Sequence, residues 1–142
     1  MCERGLWKSY EGDARRQRHL NEKLVAFLAT SKPEAARAFY EGVLGLTFVM
    51  DEAHLVVFDG AAARVMLQKT DKVTPPHGTA LGWAVEDLRG TIRALAARGV
   101  AFERYENMQQ DALGIWSPAP GHGVAWFKDP DGNLLSLSGA TG

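Results

Sequence analysis

From Lys23 onward, apolar and polar positions fall into short blocks with two alternating periods. Residues 24–30 are a brief apolar run that predicts a strand. Ser31-Lys32-Pro33-Glu34 has the form of a capping box with proline at an early helical position. A helix should then carry Ala35, Ala36, Ala38, Phe39, Tyr40 and Val43 and stop at Gly45. Three short strands follow, about 47–50, 54–58 and 64–68, with Asp59-Gly60 marking the last turn. After a polar, proline-containing linker over 70–79 the pattern restarts. Residues 80–85 predict a strand, Asp87 an N-cap, and 88–98 a helix with Leu88, Ile92 and Leu95 on one face and Gly99 at its end. Further strands are expected near 101–105, 124–127 and 134–138, with a short one around Gly114-Ile115-Trp116.

The order strand–helix–three strands thus occurs twice, as an internal repeat of elements rather than of residues. Each unit would curl an antiparallel sheet with a helix on its outer face. The expected fold class is α+β: two βαβββ modules, about 23–70 and 80–139, forming an incomplete barrel around a cleft within one domain over 23–139. Residues 1–22 differ, being polar and charged with sparse Leu6, Trp7, Tyr10 and Leu20. They read as a loosely held extension. The spacing of Leu6, Trp7 and Tyr10 also allows a helical arm that docks on this subunit or a partner.

Bulk properties narrow the function classes. With 142 residues the chain can bury one core. A net charge of -1 supplies no field for nucleic acid or an anionic membrane. The single cysteine, Cys2, excludes an internal disulfide framework. No apolar run is long enough to span a bilayer, and the N-terminus lacks the apolar core of a signal peptide, so the cytoplasm is the expected compartment.

The most specific local signal is Trp126-Phe127-Lys128-Asp129-Pro130-Asp131-Gly132-Asn133-Leu134-Leu135. Proline pre-sets φ, and Gly132 and Asn133 tolerate φ > 0, so two strands should join through a tight turn. This stretch resembles the C-terminal signature of the vicinal oxygen chelate superfamily, which comprises glyoxalases, bleomycin-resistance proteins and extradiol dioxygenases. Ala38-Phe39-Tyr40-Glu41-Gly42-Val43-Leu44-Gly45-Leu46 is similar to that family's first-helix phrase. Val85-Glu86-Asp87-Leu88 and Ala97-Arg98-Gly99-Val100 are similar to its second helix. The ordered set covers nearly all of residues 23–138. It implies the paired-module fold, and homodimers with clefts at or near the interface.

The resemblance also implies four metal-ligand positions. One lies seven residues before each helix-leading position, which gives Val25 from Lys32 and Ala80 from Asp87. The last is a glutamate on the returning strand, where this chain has Ser136, and its first-module counterpart is Met66. Val25, Ala80 and Ser136 are not ligands for a hard or borderline divalent cation, and Met66 is a soft thioether. A catalytic centre needs about three His or carboxylate ligands. The histidines His19, His54, His77 and His122 lie in the extension, at a strand start, in the linker and in a loop, without ligand-pair spacing. The expectation is no metal and no cofactor. The alternative is a divalent metal at a displaced site.

Strand alternation assigns the faces. If Val25, Met66, Ala80 and Ser136 face the cleft, then so do Phe27, Gln68, Gly82 and Ser138. Leu24, Ala26, Leu28, Leu67, Leu81, Trp83, Leu135 and Leu137 then face the helices. Trp126 alternates with Phe127 and looks into the cleft, while Trp116 and Tyr105 could cap it. Asp129 and Asp131 are explained by Asx hydrogen bonding within the turn. The candidate ligand-binding residues are therefore Phe27, Gln68, Trp116, Trp126 and Ser136, an aromatic cavity with a few polar handles. This reading predicts a metal-independent protein that binds or sequesters an aromatic or drug-like small molecule. The rivals are a lyase, isomerase or dioxygenase using a displaced metal, and a non-catalytic dimeric interaction module whose tryptophans fill a seam.

Overall fold

Period-two alternation in the strands and one apolar stripe on each helix produce two sheets with a shared apolar layer behind them. The computed structural model describes Leu20 and residues 22–142, so both readings of the N-terminal extension lie outside the described residues. The first module runs β1 (Leu24–Thr30), α1 (Pro33–Arg37), a π-helical continuation (Ala38–Val43), β2 (Thr47–Asp51), β3 (Leu55–Asp59) and β4 (Ala63–Lys69). The second runs β5 (Leu81–Val85), α2 (Leu88–Ala97), β6 (Trp116–Ala119), β7 (His122–Lys128) and β8 (Leu134–Ala140). The sheet orders are β1-β4-β3-β2 and β5-β8-β7-β6. In each, the first strand pairs parallel to the last and the remaining pairs are antiparallel. The two orders superimpose element for element, and the sheets do not close on each other, as an incomplete barrel requires.

One apolar cluster joins the modules: Leu28, Tyr40, Phe58 and Leu67 from the first, and Leu88, Ile92, Phe127 and Leu135 from the second. Each such side chain contributes about 1.5–3 kcal/mol when fully withdrawn from water. The π-helical stretch helps, because its wider turn lets the adjacent Phe39 and Tyr40 both pack inward. Phe39 lies edge-on to Tyr40 at 5.3 Å and 6.3 Å from Phe127 of the other module. Gly45 then ends the segment at φ 79°, a conformation that favours glycine.

Several local expectations change. Residues 101–105 do not form a strand. Only Phe102 makes a bridge, to Phe127, and the Glu103 N–H donates to the Trp126 carbonyl at 2.8 Å. One inward aromatic among polar neighbours cannot hold a ladder. Leu24 is not core. It is 69% exposed at the start of an edge strand, where no helix covers it. Asp87 caps α2 as expected, accepting from the Gly90 N–H at 3.0 Å. The capping box at Ser31 does not form. Lys32 occupies the N-cap without a side-chain bond, and the Ser31 hydroxyl donates instead to Asp131 at 2.9 Å.

That diversion reveals the joint between the modules. Asp129 is buried at the start of the turn after β7. Its Oδ1 accepts the N–H groups of Asp131 and Asn133 at 2.9 Å each. Its Oδ2 accepts the Tyr40 hydroxyl at 2.7 Å and the Asn133 amide at 2.9 Å. Asp131, expected to serve the turn itself, reaches across the seam. It accepts from the Thr30 hydroxyl at 2.6 Å and from the Ser31 N–H at 2.8 Å. The Asn133 amide also donates to the Ala29 carbonyl at 3.1 Å. Burial, reinforced by Asp129, holds the Tyr40 phenol far above its ordinary range, so it keeps its proton and donates.

Replacing Asp129 leaves the Tyr40 hydroxyl, the Asn133 amide and two turn N–H groups without their acceptor. Asp129→Ala should therefore cost at least about 3 kcal/mol, and Tyr40→Phe only about 1–2 kcal/mol, in urea unfolding. Equal, small losses for both would show that the carboxylate does not organise the joint.

Candidate functional site

The sheet faces turned away from the helices form the inside of the incomplete barrel. On the second sheet, β7 contributes Val124, Trp126 and Lys128 to that face, and β8 contributes Ser136 and Ser138. Register places Trp126 opposite Ser136 and Val124 opposite Ser138. Ser136 also pairs across to Gly82 on β5, where a Cβ would collide with the Ser136 hydroxyl. Glycine at that position therefore gives Ser136 room to stand on this face.

An aromatic cluster rises from the same face. Trp116, opposite Val124 in register, lies 6.2 Å from Trp126 at an interplanar angle of 33°. Tyr105 meets Trp126 edge-on at 5.8 Å and 85°. The Trp126 indole N–H donates to the Thr79 hydroxyl at 3.1 Å, so the ring is fixed and its face, not its donor, is on offer.

The loop carrying Tyr105 lacks a repeating pattern but is densely bonded. The Gln110 amide donates to the carbonyls of Glu103 and Gly114, each at 2.9 Å, and its oxygen accepts the Tyr105 N–H at 2.8 Å. Arg104 donates to the carbonyls of Asp111 and Ala112. Partial burial would raise the Asp111 carboxyl, but the Ile115 and Leu113 N–H groups and Arg89 outweigh it and hold the group below its usual range. Partial burial, with the charge of Glu103, raises the Tyr105 phenol.

The expected site residues divide between the sheets. Trp116, Trp126 and Ser136 come together on the second. Phe27 and Gln68 lie on the equivalent face of the first, Phe27 opposite Met66 and Gln68 opposite Ala29 and Leu55. Phe27 is 58% exposed, and Gln68 is exposed as well. No hydrogen bond or aromatic contact among the described residues joins those two to the tryptophan group. Trp83, assigned to the core, packs against the central cluster but stays half-buried. Thr79 and Gln110 were not foreseen. Their roles depend on pairings across 47 residues and within an irregular loop, which no periodicity signals.

The four metal-ligand positions can be tested against their surroundings. Val25, Met66 and Ser136 stand on the expected face, and Ala80 directly precedes β5, its N–H donating to the Leu134 carbonyl at 2.8 Å. Their donor chemistry does not fit a divalent metal: two hydrocarbon side chains, a thioether and one neutral hydroxyl. Among the described residues, no group of three or more His, Cys, Asp or Glu is placed to hold a metal ion. The first sheet's face instead holds Arg64 in a two-pronged pair with Asp59, at 2.8 and 3.1 Å. Among the described residues, no helix is long and apolar enough to cross a membrane.

Comparison with known proteins accords with this architecture. The family model for the Glyoxalase/Bleomycin resistance protein/Dioxygenase superfamily matches residues 17–137. Solved structures of similar fold include TnmS3, an antibiotic binding protein from Streptomyces sp. CB03234. It is 23% identical, covers 84% of this chain and 96% of its own, and has a TM-score of 0.63. Lactoylglutathione lyase from Agrobacterium tumefaciens is 18% identical, covering 82% and 91% at a TM-score of 0.59. A glyoxalase/bleomycin resistance protein/dioxygenase from Alicyclobacillus acidocaldarius is 17% identical, covering 87% and 94% at 0.63. Comparison with curated sequences gives no match. The fold and the site define a paired βαβββ protein. This chain belongs to the glyoxalase/bleomycin resistance/dioxygenase superfamily.

Hydrogen bonds from Arg64, with Lys23 nearby, hold the Asp59 carboxyl down at about 2 against an ordinary 3.8. A depressed carboxyl stabilises the fold above its ordinary value and loses that contribution as pH falls toward about 2. Carboxyl NMR titration should find Asp59 at about 2, and Arg64→Gln should return it toward 3.8. An unchanged midpoint in the variant would rule out Arg64 as the cause.

Proposed function

We propose that this chain is a metal-independent binding or sequestering protein for an aromatic or drug-like small molecule. The observation that carries the reading is the fixed cluster of Trp116, Trp126 and Tyr105 on the barrel face, beside Ser136 and Ser138. Aromatic faces with a few neutral hydroxyls suit a flat, partly apolar ligand through stacking and desolvation. Phe27 and Gln68 would contact the same ligand from the opposite sheet. That one structural neighbour is an antibiotic binding protein supports the ligand class. The unsuitability of Val25, Met66, Ala80 and Ser136 as ligands supports metal independence, since a carboxylate-bound cation is the usual means of polarising a carbonyl or activating oxygen.

A homodimer fits the same reading. Val25 and Phe27 leave much of their apolar surface exposed on the barrel face of the edge strand β1. A partner's sheet would cover them and complete the cleft. The same exposure favours the second reading, a dimeric interaction module without a ligand.

The two readings separate in one titration. A panel of neutral and cationic polycyclic aromatics is added to chelator-treated protein while tryptophan fluorescence is followed. On the binding reading at least one compound saturates the signal. Adding zinc, manganese or iron should not tighten it. Trp126→Ala should weaken it by about 1–2 kcal/mol, roughly five- to thirtyfold. Saturable binding that survives only with added metal would overturn metal independence. A silent panel, with a dimer in solution that Phe27→Asp dissociates, would favour the interaction module.

A further inference from the structure

The seam between the modules contains two apolar cavities that the barrel-face site does not use. The smaller, about 180 Å³, lies between α2 and the helix-facing side of the second sheet, with Leu44, Thr91, Leu95 and Leu137 among its walls. The larger, about 370 Å³, lies between the turn at Gly60–Ala63 and strand β5, with Leu46 and Leu81 among its walls. Trp83 lines both, and Leu44 and Leu46 line one each from either side of Gly45. The two are therefore neighbouring chambers along one seam, divided by a half-buried indole.

Both open to solvent, so a ligand could reach them without unfolding the seam. The larger falls in the range of small-molecule sites. The side chains that line them are mainly hydrocarbon. The only side-chain hydroxyl in the smaller chamber, Thr91, already donates to the Asp87 carbonyl at 2.7 Å. The polar groups that the larger chamber offers belong to the main chain, at the Gly60–Ala63 turn and along the edge strand β5. A flexible alkyl chain, with no polar groups to satisfy and free rotation to pass a side chain, fits the shape and the lining.

A cation lies near the smaller chamber: Arg98 caps the C-terminal end of α2, three residues after Leu95. Its Nη1 donates to the Val43 carbonyl at 2.9 Å, next to Leu44. Among the described residues no carboxylate forms an ion pair with it. Its remaining N–H groups are therefore available to an acid placed at the mouth of the smaller chamber.

We infer that the module seam is a second ligand site, for a monocarboxylate with an unbranched alkyl tail, the carboxylate on Arg98 and the tail in the chambers beside Trp83. The inference is independent of the barrel-face reading. The test is methyl and indole NMR of the full chain, titrated separately with decanoate and with 1-decanol. Both should shift the Leu44, Val85 and Leu95 methyls and the Trp83 indole, and leave the Trp116 and Trp126 indoles in place. Arg98→Gln should weaken decanoate about tenfold and leave 1-decanol unchanged. The inference is overturned if neither compound moves the seam signals up to its solubility, if the shifts fall only at Trp116 and Trp126, or if Arg98→Gln affects both compounds alike. Should the variant fold poorly, the shift map of the unsubstituted protein and its preference for decanoate over 1-decanol decide the matter.

Discussion

The arrangement of this protein depends on one buried carboxylate. Asp129 has no unused acceptor position: each oxygen takes two donors, one pair from its own turn and the other from Tyr40 and Asn133. A carboxylate removed from water is tolerated only when it is fully bonded in this way. Because Tyr40 belongs to the first module, satisfying Asp129 also fixes how the modules meet. Asp131 and Asn133 extend the joint to Thr30, Ser31 and Ala29, so the end of β1 and the start of α1 are held by the far hairpin. The apolar cluster supplies most of the attraction between the modules, but it is non-directional. The polar joint sets the orientation.

Scaffold and chemistry separate cleanly in this chain. The family's turn, helix phrases and sheet order are all present, and each serves folding. Of the positions that would hold a metal, Val25, Met66 and Ser136 face the right way, and none of the four carries the atoms a divalent cation needs. What stands on the barrel face instead is aromatic surface, braced from behind. Thr79 ties down the Trp126 indole, and the loop under Tyr105 is bonded to itself through Gln110 and Arg104. A surface immobilised before a ligand arrives loses less entropy on binding, so under the proposed binding role this rigidity would contribute to affinity.

Strand faces were legible in the sequence because their period is two and their partners repeat it. Met66, Trp126 and Ser136 all point as the alternation requires. Leu24 failed because parity assigns a face without saying whether anything covers it. Residues 101–105 failed for the opposite reason: alternation was present, but only Phe102 had a partner. Ser31 shows the limit of local motifs. Its capping-box spacing is correct, yet an aspartate 100 residues away competes for its hydroxyl and backbone N–H, and wins. The tryptophan cluster was half legible. Trp126 followed from alternation, whereas Trp116, Tyr105 and the groups that brace them meet through an irregular loop that only side-chain-to-backbone bonds define.

The joint at Asp129 also has a temporal meaning. Thr30 at the end of β1 and Ser31 just after it donate hydrogen bonds to Asp131, about a hundred positions later. As the chain leaves the ribosome, the first sheet can assemble while Thr30, Ser31 and Tyr40 wait for acceptors not yet synthesised. Contacts of such long sequence separation form late and slowly. The first module is thus born with an open, apolar seam that only the final hairpin can shut, and the interval before that hairpin emerges is when the nascent chain is most exposed to chaperones and to neighbouring copies of itself.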